Sequence, residues 1–402
     1  MRRGRDANSR FGIGVALVVL AIAAPAVYLA VWGHKWGVDL QVYRDGTSAL
    51  FRGHDPYNEL FTAHRLPYSY PPAALLLLAP LDVLPFLGTR ILWWVASGAA
   101  VAFALVAVLR TTPAQRGRRL QVLLLACAGC LLVEPARSTL DYGQVNAMLF
   151  ALVVADVLLA RRYRGVGVGV AAAIKLTPLF FVVFFVLDRD WPAVRRMVST
   201  FAVLVGGMWL LFPRVSTDYW FHQVFNMSRP GNVAFVGNQS LLGTLHRLPI
   251  PAGDVLGLWA LASALVVAGV VLIAHHALRH DARVVALFTV ALGALLISPI
   301  SWSHHWIWIC LVPTLGMVGA FRPLAWPLTA RVAPWSLVAV GVLGPYWWGL
   351  HGPAGTVAND GLVVAGLAVL AVWAVVVASR DFGNGVRRAA GPQAVTVDQV
   401  KA

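Results

Sequence analysis

The chain has 402 residues, 59% hydrophobic and only 12% charged, with a mean hydropathy of +0.73. Ordinary soluble domains are about a quarter charged, so this composition excludes a water-soluble enzyme. The charge present is lopsided, with 32 Lys and Arg against 17 Asp and Glu for a net of +15; long apolar runs around it turn the reading from nucleic acid to a membrane.

A bilayer core of about 30 Å takes roughly 20 apolar residues in a helix. The first such run, 11–31, follows Met1-Arg2-Arg3-Gly4-Arg5. It is too long for the apolar core of a signal peptide and reads as an uncleaved first helix. A polar stretch follows, then the Pro-rich piece from Tyr70 to Pro85, which carries Asp82 and is broken by Pro71, Pro72 and Pro80. Residues 88–109 form the next full-length span, and 255–273 and 362–379 are the later ones, with shorter or polar-interrupted runs between them.

Short basic loops mark the cytoplasmic side: 2–10, 110–119, 161–164, 188–196, 279–283, 321–331 and the tail from Arg380. Placing all of them on one side requires an even number of crossings between neighbours. Two segments are decided by that demand. The Pro-rich piece becomes a re-entrant or interfacial segment within the first periplasmic loop, 32–87. Residues 165–187 split at Ile174-Lys175-Leu176-Thr177-Pro178 into two short half-helices. The resulting expectation is an all-α polytopic membrane protein of about twelve helices with both termini cytoplasmic. Residues 1–379 form one membrane domain and 380–402 a disordered cytoplasmic tail, with no internal repeat. Cys127-Ala-Gly-Cys130 has CxxC spacing but no second ligand pair, so these thiols and Cys310 read as packing within helices.

On this topology the polar clusters collect in the outer loops. Asp39 stands among Val38, Leu40 and Val42. A partly buried carboxylate there has a raised pKa and suits a general base, with Asp45 and Asp55 as competitors. Lys175, at a helix break in an apolar segment, costs about 2.5–3.5 kcal/mol to insert and calls for an anion such as a phosphate. Snorkelling, or pairing with Glu134 or Asp141, is the plain structural alternative. His304 and His305 lie between Trp302 and Trp306; adjacent histidines on a helix point about 100° apart, and no HExxH-like spacing accompanies them, which argues for hydrogen bonding over a metal site. Asp141, Gln144, Asn146, Asn238 and Gln239 are of the type that binds sugar hydroxyls or caps helices. The aromatics Tyr346-Trp347-Trp348 suit a sugar or a membrane interface equally, and Asn226-Met227-Ser228 fits a glycosylation acceptor.

In order along the chain, Asp39 with Tyr43, Tyr70-Pro71-Pro72, Gly143-Gln144-x-Asn146, Ile174-Lys175-x-Thr177-Pro178, Asn238-Gln239-Ser240 and Ser298-Pro299-x-Ser301-Trp302-x-His304-His305 resemble glycosyltransferase family 87. These are actinobacterial membrane mannosyltransferases of the GT-C superfamily. Leu176 stands where many relatives have Pro, and no motif is recognised from about 321 onward. The resemblance implies a polyprenyl-phosphate-mannose donor, a lipid-linked mannoside acceptor of the phosphatidylinositol mannoside or lipomannan type, and an α-(1→2) linkage made with inversion. It implies a periplasmic active site in a bacterial plasma membrane, with Asp39 as base and one of His304 and His305 as the essential histidine. Lys175 is the expected phosphate ligand, with Arg137 and Arg229 as further cations. Tyr43, Tyr70, Asp141, Gln144, Asn146, Asn238, Gln239 and Ser301 are the sugar-binding candidates. The sequence itself calls for no divalent metal or other cofactor, and a phosphate leaves without the protonation an alkoxide needs, so one base suffices. Competing classes are a transporter or flippase of a lipid-linked sugar and a GT-C transferase of another sugar, such as arabinose.

Overall fold

The computed structural model describes residues 37–112 and 119–389. The expected first helix, 11–31, and the end of the tail lie outside the described residues. Every described element is helical except a two-residue antiparallel ladder, β1 (Leu60–Phe61) against β2 (Leu66–Pro67), so the all-α expectation holds. Five helical stretches are long and apolar enough to cross a membrane: Phe86–Thr111, Trp191–Leu211, Ala252–Arg279, Leu328–Trp347 and Gly361–Arg380. Two further helices, Arg119–Leu132 and Glu134–Tyr142, meet at an angle of 73° and bring the number to six when counted as one broken span. Its bend has a local cause, because Pro135 has no N–H to continue the ladder.

The outer segment begins with α1 (Val38–Phe51), which packs on the short α2 (Pro72–Leu77). Neither α2 nor the 3-10 turn Ala79–Asp82 that follows is long enough to span. Asp82 is held by Arg44 (3.2 Å) and Ser48 (2.9 Å), fixing the Pro-rich piece against α1. Next come α3 (Phe86–Thr111), α4 (Arg119–Leu132), α5 (Glu134–Tyr142) and α6 (Asn146–Leu158).

The turn between α5 and α6 decides where α1 sits. Gly143 closes α5 in the left-handed region (φ +69°), and a Cβ there would stand 2.8 Å from Leu40 Cβ and 3.2 Å from Gly37 Cα. Only glycine lets the start of α1 come this close. The Gly37 N–H then donates to the Asp141 carbonyl (2.9 Å), so residue 39 is pinned beside residue 144.

Next come α7 (Val166–Ile174), α8 (Val182–Leu187) and α9 (Trp191–Leu211). Without a hydrophobic drive between helices in lipid, close backbone approach through small residues holds them. A Cβ on Gly167 would lie 2.9 Å from Asp156 Cβ, and one on Gly169 2.7 Å from the Met197 carbonyl. Asp156, buried near the end of α6, accepts the N–H groups of Gly165 (2.8 Å) and Val168 (3.2 Å) and so satisfies the open end of α7. α7 stops at Lys175, whose backbone is extended (φ −150°, ψ 131°). Pro178 has no N–H for the Ile174 carbonyl and its ring clashes with a continuing helix; the chain goes on as a 3-10 turn, Thr177–Phe181, into α8. The expected break is therefore present at the expected residue.

The remaining helices are α10 (Pro213–Phe221), α11 (Leu241–Arg247), α12 (Ala252–Arg279), α13 (Arg283–Ile297), α14 (Leu311–Met317), α15 (Leu328–Val332), α16 (Trp335–Leu343), α17 (Gly352–Asn359) and α18 (Gly361–Ala389). α13 is buried on every face from Val284 to Leu296, as expected of a central apolar helix. At one end of the bundle Arg164 meets Asp188 and Asp190, and Arg283 grips Asp188 with bonds of 2.9 and 2.6 Å. Three of the basic loops are thereby brought together. α6 and α7 run from that end to Asn146 and Lys175, which lie at the other.

Candidate active site

At that other end a cavity of about 420 Å³ opens, lined by Asp39, Tyr43, Tyr70, Tyr142, Gln144, Lys175, His304 and His305 together with aromatic side chains, among them Tyr219, Phe235, Trp302 and Trp347. Asp39 is half-buried and faces it. Its partner is Gln144, whose amide orientation is set by two tyrosines. The Tyr43 and Tyr70 hydroxyls lie 3.1 and 3.0 Å from Gln144 Oε1 and 2.8 Å from each other. With its oxygen thus occupied, Gln144 turns Nε2 to donate to Asp39 Oδ2. Burial pushes the Asp39 carboxyl up to about 6, opposed by the Gln144 hydrogen bond and the charge of Lys175. α1 lies outside the membrane-crossing helices, and a carboxylate with this pKa is ionised at neutral pH yet basic enough to take a proton.

The competing carboxylates do not reach the cavity. Asp55 is spent on a turn, accepting from the Tyr57 N–H (2.9 Å) and Asn58 (3.2 Å). Asp45 lies farther along α1 and is not part of the lining.

Lys175 projects into the cavity from the helix break. Its ammonium donates to Asn146 Oδ1 (2.9 Å) and to His305 Nε2 (2.8 Å), and stands 5.5 Å from the centre of the Tyr70 ring. With an ammonium as the donor, Nε2 is the acceptor, which assigns the ring proton to Nδ1, a buried atom without a partner. The pair works as an acceptor holding a cation. His304 differs: its carbonyl accepts from Thr139 (3.0 Å) and Asn146 (3.1 Å), and its ring lies against Tyr142 at 5.3 Å. Each ring keeps one buried nitrogen without a partner, Nε2 of His304 and Nδ1 of His305, and both residues line the cavity; His304 differs in having no nitrogen committed to Lys175.

Six sequence candidates are placed elsewhere. Arg229 has its guanidinium engaged by the Tyr68 carbonyl (2.9 Å), Gln223 (2.8 Å) and the Tyr57 carbonyl (2.5 Å), which makes it a staple of the outer loops. Arg137 is exposed and donates to the Leu132 carbonyl (2.7 Å). Asp141 contributes its carbonyl to Gly37 rather than lining the cavity.

Asn238, Gln239 and Ser301 are fully buried behind it. Asn238 donates to the Val233 (2.9 Å) and Pro299 (3.1 Å) carbonyls and accepts from the Ser301 N–H (2.8 Å). Gln239 ties the Val236 carbonyl (2.7 Å) to the Asn359 carbonyl (2.6 Å) and the Leu362 N–H (3.1 Å). These bonds, with the Ser303 N–H donating to Gly237 (2.9 Å), hold the segment carrying His304 and His305. Sequence reasoning passed over Tyr142, Phe235 and Tyr219 as lining residues; their aromatic character was the available signal. Among the described residues no group of three or more His, Cys, Asp or Glu side chains is placed to hold a metal.

The cavity therefore combines one basic carboxylate, one fixed cation, one imidazole not tied to that cation and a fan of tyrosine hydroxyls. The sequence model of glycosyltransferase family 87 matches residues 68–299, more than half of the chain, and the Tyr70, Gln144 and Lys175 part of the cavity falls within that match, with Asn146 behind it. The chain belongs to glycosyltransferase family 87. This family 87 enzyme is 31% identical over 341 residues, 79% of its length and 80% of the relative's, to a polyprenol-phosphate-mannose-dependent α-(1-2)-phosphatidylinositol mannoside mannosyltransferase of Mycobacterium tuberculosis. A protein of the same description from Mycolicibacterium smegmatis is 33% identical, covering 74% of this chain and 73% of the relative. A third relative, an M. smegmatis phosphatidylinositol pentamannoside mannosyltransferase with the same donor dependence, is 34% identical over 82% of this chain and 81% of its own length.

Proposed function

We propose that this family 87 glycosyltransferase moves mannose from polyprenyl-phosphate mannose to a lipid-linked mannoside, of phosphatidylinositol mannoside or lipomannan type, by inverting displacement. The observation that carries this reading is the pairing in one cavity of a basic carboxylate, Asp39, with a fixed cation, Lys175. Asp39 takes the proton of the acceptor hydroxyl as its oxygen attacks the anomeric carbon. The C–O bond to phosphate breaks on the opposite face, and the leaving phosphate gains negative charge. Lys175, oriented by Asn146 and His305, stabilises that charge, and the His304 imidazole hydrogen-bonds the donor. A phosphate leaving group needs no general acid, which accords with a site holding one carboxylate rather than a glycosidase's two.

A second cavity of about 40 Å³ lies behind Lys175 and His305, lined mostly by Leu149, Phe150, Phe181, Leu295 and Trp308. Its apolar lining marks the side of the site on which the polyprenyl chain leaves the phosphate and enters the bilayer. Residues 1–379 act as one membrane domain of about twelve helices with the Pro-rich piece re-entrant. The basic end with Arg164 and Arg283 faces the cytoplasm, as do the termini and the tail, and the cavity faces the periplasm.

The test is transfer of labelled mannose from polyprenyl-phosphate mannose in membranes containing the chain. Transfer to a mannolipid is expected; translocation of the donor without transfer would overturn the reading in favour of a flippase. The same assay across pH reports on the base. The Asp39 carboxyl must be ionised to act, so activity is expected to hold near neutrality and to fall about tenfold per pH unit below about 6. An acid limb that stays flat down to pH 5 would remove Asp39 from the role.

A further inference from the structure

Donor and base account for one part of the cavity; another part is aromatic. Phe235, Trp302 and Trp347 all line it. The Phe235 ring stands 6.1 Å from Trp302 at 62° and 5.9 Å from Trp347 at 52°. The three make a concave corner rather than a stack. Phe235 is 49% and Trp347 44% exposed, so apolar ring surface is left open in residues that line the same cavity as Asp39. A membrane-interface belt is the obvious alternative for such residues. The neighbouring Trp348 fits that description: it is more exposed, donates its indole N–H to the Leu343 carbonyl (3.1 Å), and lies outside the cavity. Trp347 faces the cavity instead.

The corner is also built. Tyr346, next to Trp347, donates to Glu134 Oε2 (2.6 Å), and Glu134 Oε1 accepts from Ser303 (2.9 Å), beside the histidines. On the other side Arg247 donates to the Phe235 (3.0 Å) and Asn238 (3.0 Å) carbonyls and is ion-paired with buried Asp360. Two buried carboxylates that play no part in the proposed chemistry thus brace the two loops that meet at the corner. Gly237 lets the rings converge, since a Cβ there would lie 2.9 Å from a Phe235 ring carbon and 3.1 Å from one of Trp347.

We propose that Trp347, with Phe235 and Trp302, is the acceptor-sugar subsite: the C–H face of the acceptor hexopyranose packs on these rings and presents its hydroxyl to Asp39. Amphipathic aromatic rings fit a ligand that is apolar on its faces and polar at its edge. The inference rests on the transferase reading; Trp347 lies beyond the 68–299 family match, as do Asp39, His304 and His305.

The test uses the full-length protein in nanodiscs with octyl α-D-mannopyranoside as acceptor. Trp347→Leu is expected to raise the KM for the octyl mannoside about tenfold while the KM for the polyprenyl-phosphate sugar changes less than twofold. Trp347→Phe, which keeps a ring, is expected to stay within about threefold of wild type. Unchanged acceptor KM in Trp347→Leu, or a shift in donor KM instead, would overturn the subsite. Calorimetric binding of the octyl mannoside without donor separates this result from the donor assignment. If wild type transfers nothing from the donor but binds the mannoside in a Trp347-dependent way, the donor reading fails and the subsite stands. Transfer by wild type with acceptor binding that ignores Trp347 has the opposite meaning. Should Trp347→Leu not fold, Phe235→Leu provides the same comparison.

Discussion

Replacing Asp39 by asparagine is expected to lower mannose transfer by about 10²–10⁴-fold and leave the folded protein as stable as wild type. The loss follows from the chemistry: an amide accepts no proton from the attacking hydroxyl, so the alkoxide has to form without assistance. The retained fold follows from the contacts. Asp39 has one side-chain partner of note, Gln144 Nε2, and an asparagine Oδ1 accepts the same bond. The substitution also removes a carboxylate whose charge is disfavoured by burial, so it relieves a desolvation cost. The checks are steady-state transfer from polyprenyl-phosphate mannose and a thermal unfolding midpoint on the same preparation. The acid limb of the pH profile should vanish with the residual activity of Asp39→Asn. Transfer within tenfold of wild type in a properly inserted variant would remove Asp39 as base.

How far this site was readable from the chain depends on what each residue touches. Asp39, Gln144, Lys175 and the two histidines were legible because each breaks a local rule: an ionisable group in an apolar context, or a polar cluster at a helix end, implies an unusual partner. The break at Lys175 was legible because Pro178 dictates it through its own geometry. Asn238, Gln239, Ser301 and Arg229 were readable as important and misleading as to role. A buried amide demands hydrogen bonds whether its partner is a sugar or a carbonyl, and their partners lie far away in sequence, as with Gln239 and Asn359. The choice between His304 and His305 was beyond local pattern for the same reason. Neighbours in sequence, they separate only when Lys175, 130 residues from His305, takes one ring nitrogen. The aromatic corner was the least legible, because Trp347 beside Trp348 looks like interface until Phe235 and Gly237 converge on it.

Removing the cation at position 175 is the second large effect expected. Lys175→Met keeps the length and apolar stem of the side chain and deletes the ammonium, so the phosphate's developing charge loses its fixed counter-charge. By analogy with the loss of a single transition-state donor in a water-poor site, transfer is expected to fall about 10²–10³-fold. Two controls distinguish this from local collapse. His305→Asn removes the acceptor that orients Lys175 but leaves the cation and its bond to Asn146 (2.9 Å), so it is expected to cost less, about tenfold. Lys175→Arg keeps the charge but offers a planar fork to a site shaped for a compact ammonium held by one amide oxygen and one imidazole nitrogen, and is expected to fall between the two. If phosphate stabilisation is the role of Lys175, the loss in Lys175→Met should appear in kcat with a donor of natural length and with one of truncated chain, since the deleted contact is to the phosphate rather than to the lipid. A loss confined to the natural-length donor would move Lys175 from the phosphate to the lipid, and an ordering of Met, Arg and Asn variants other than the one given would deny that His305 serves to position the cation.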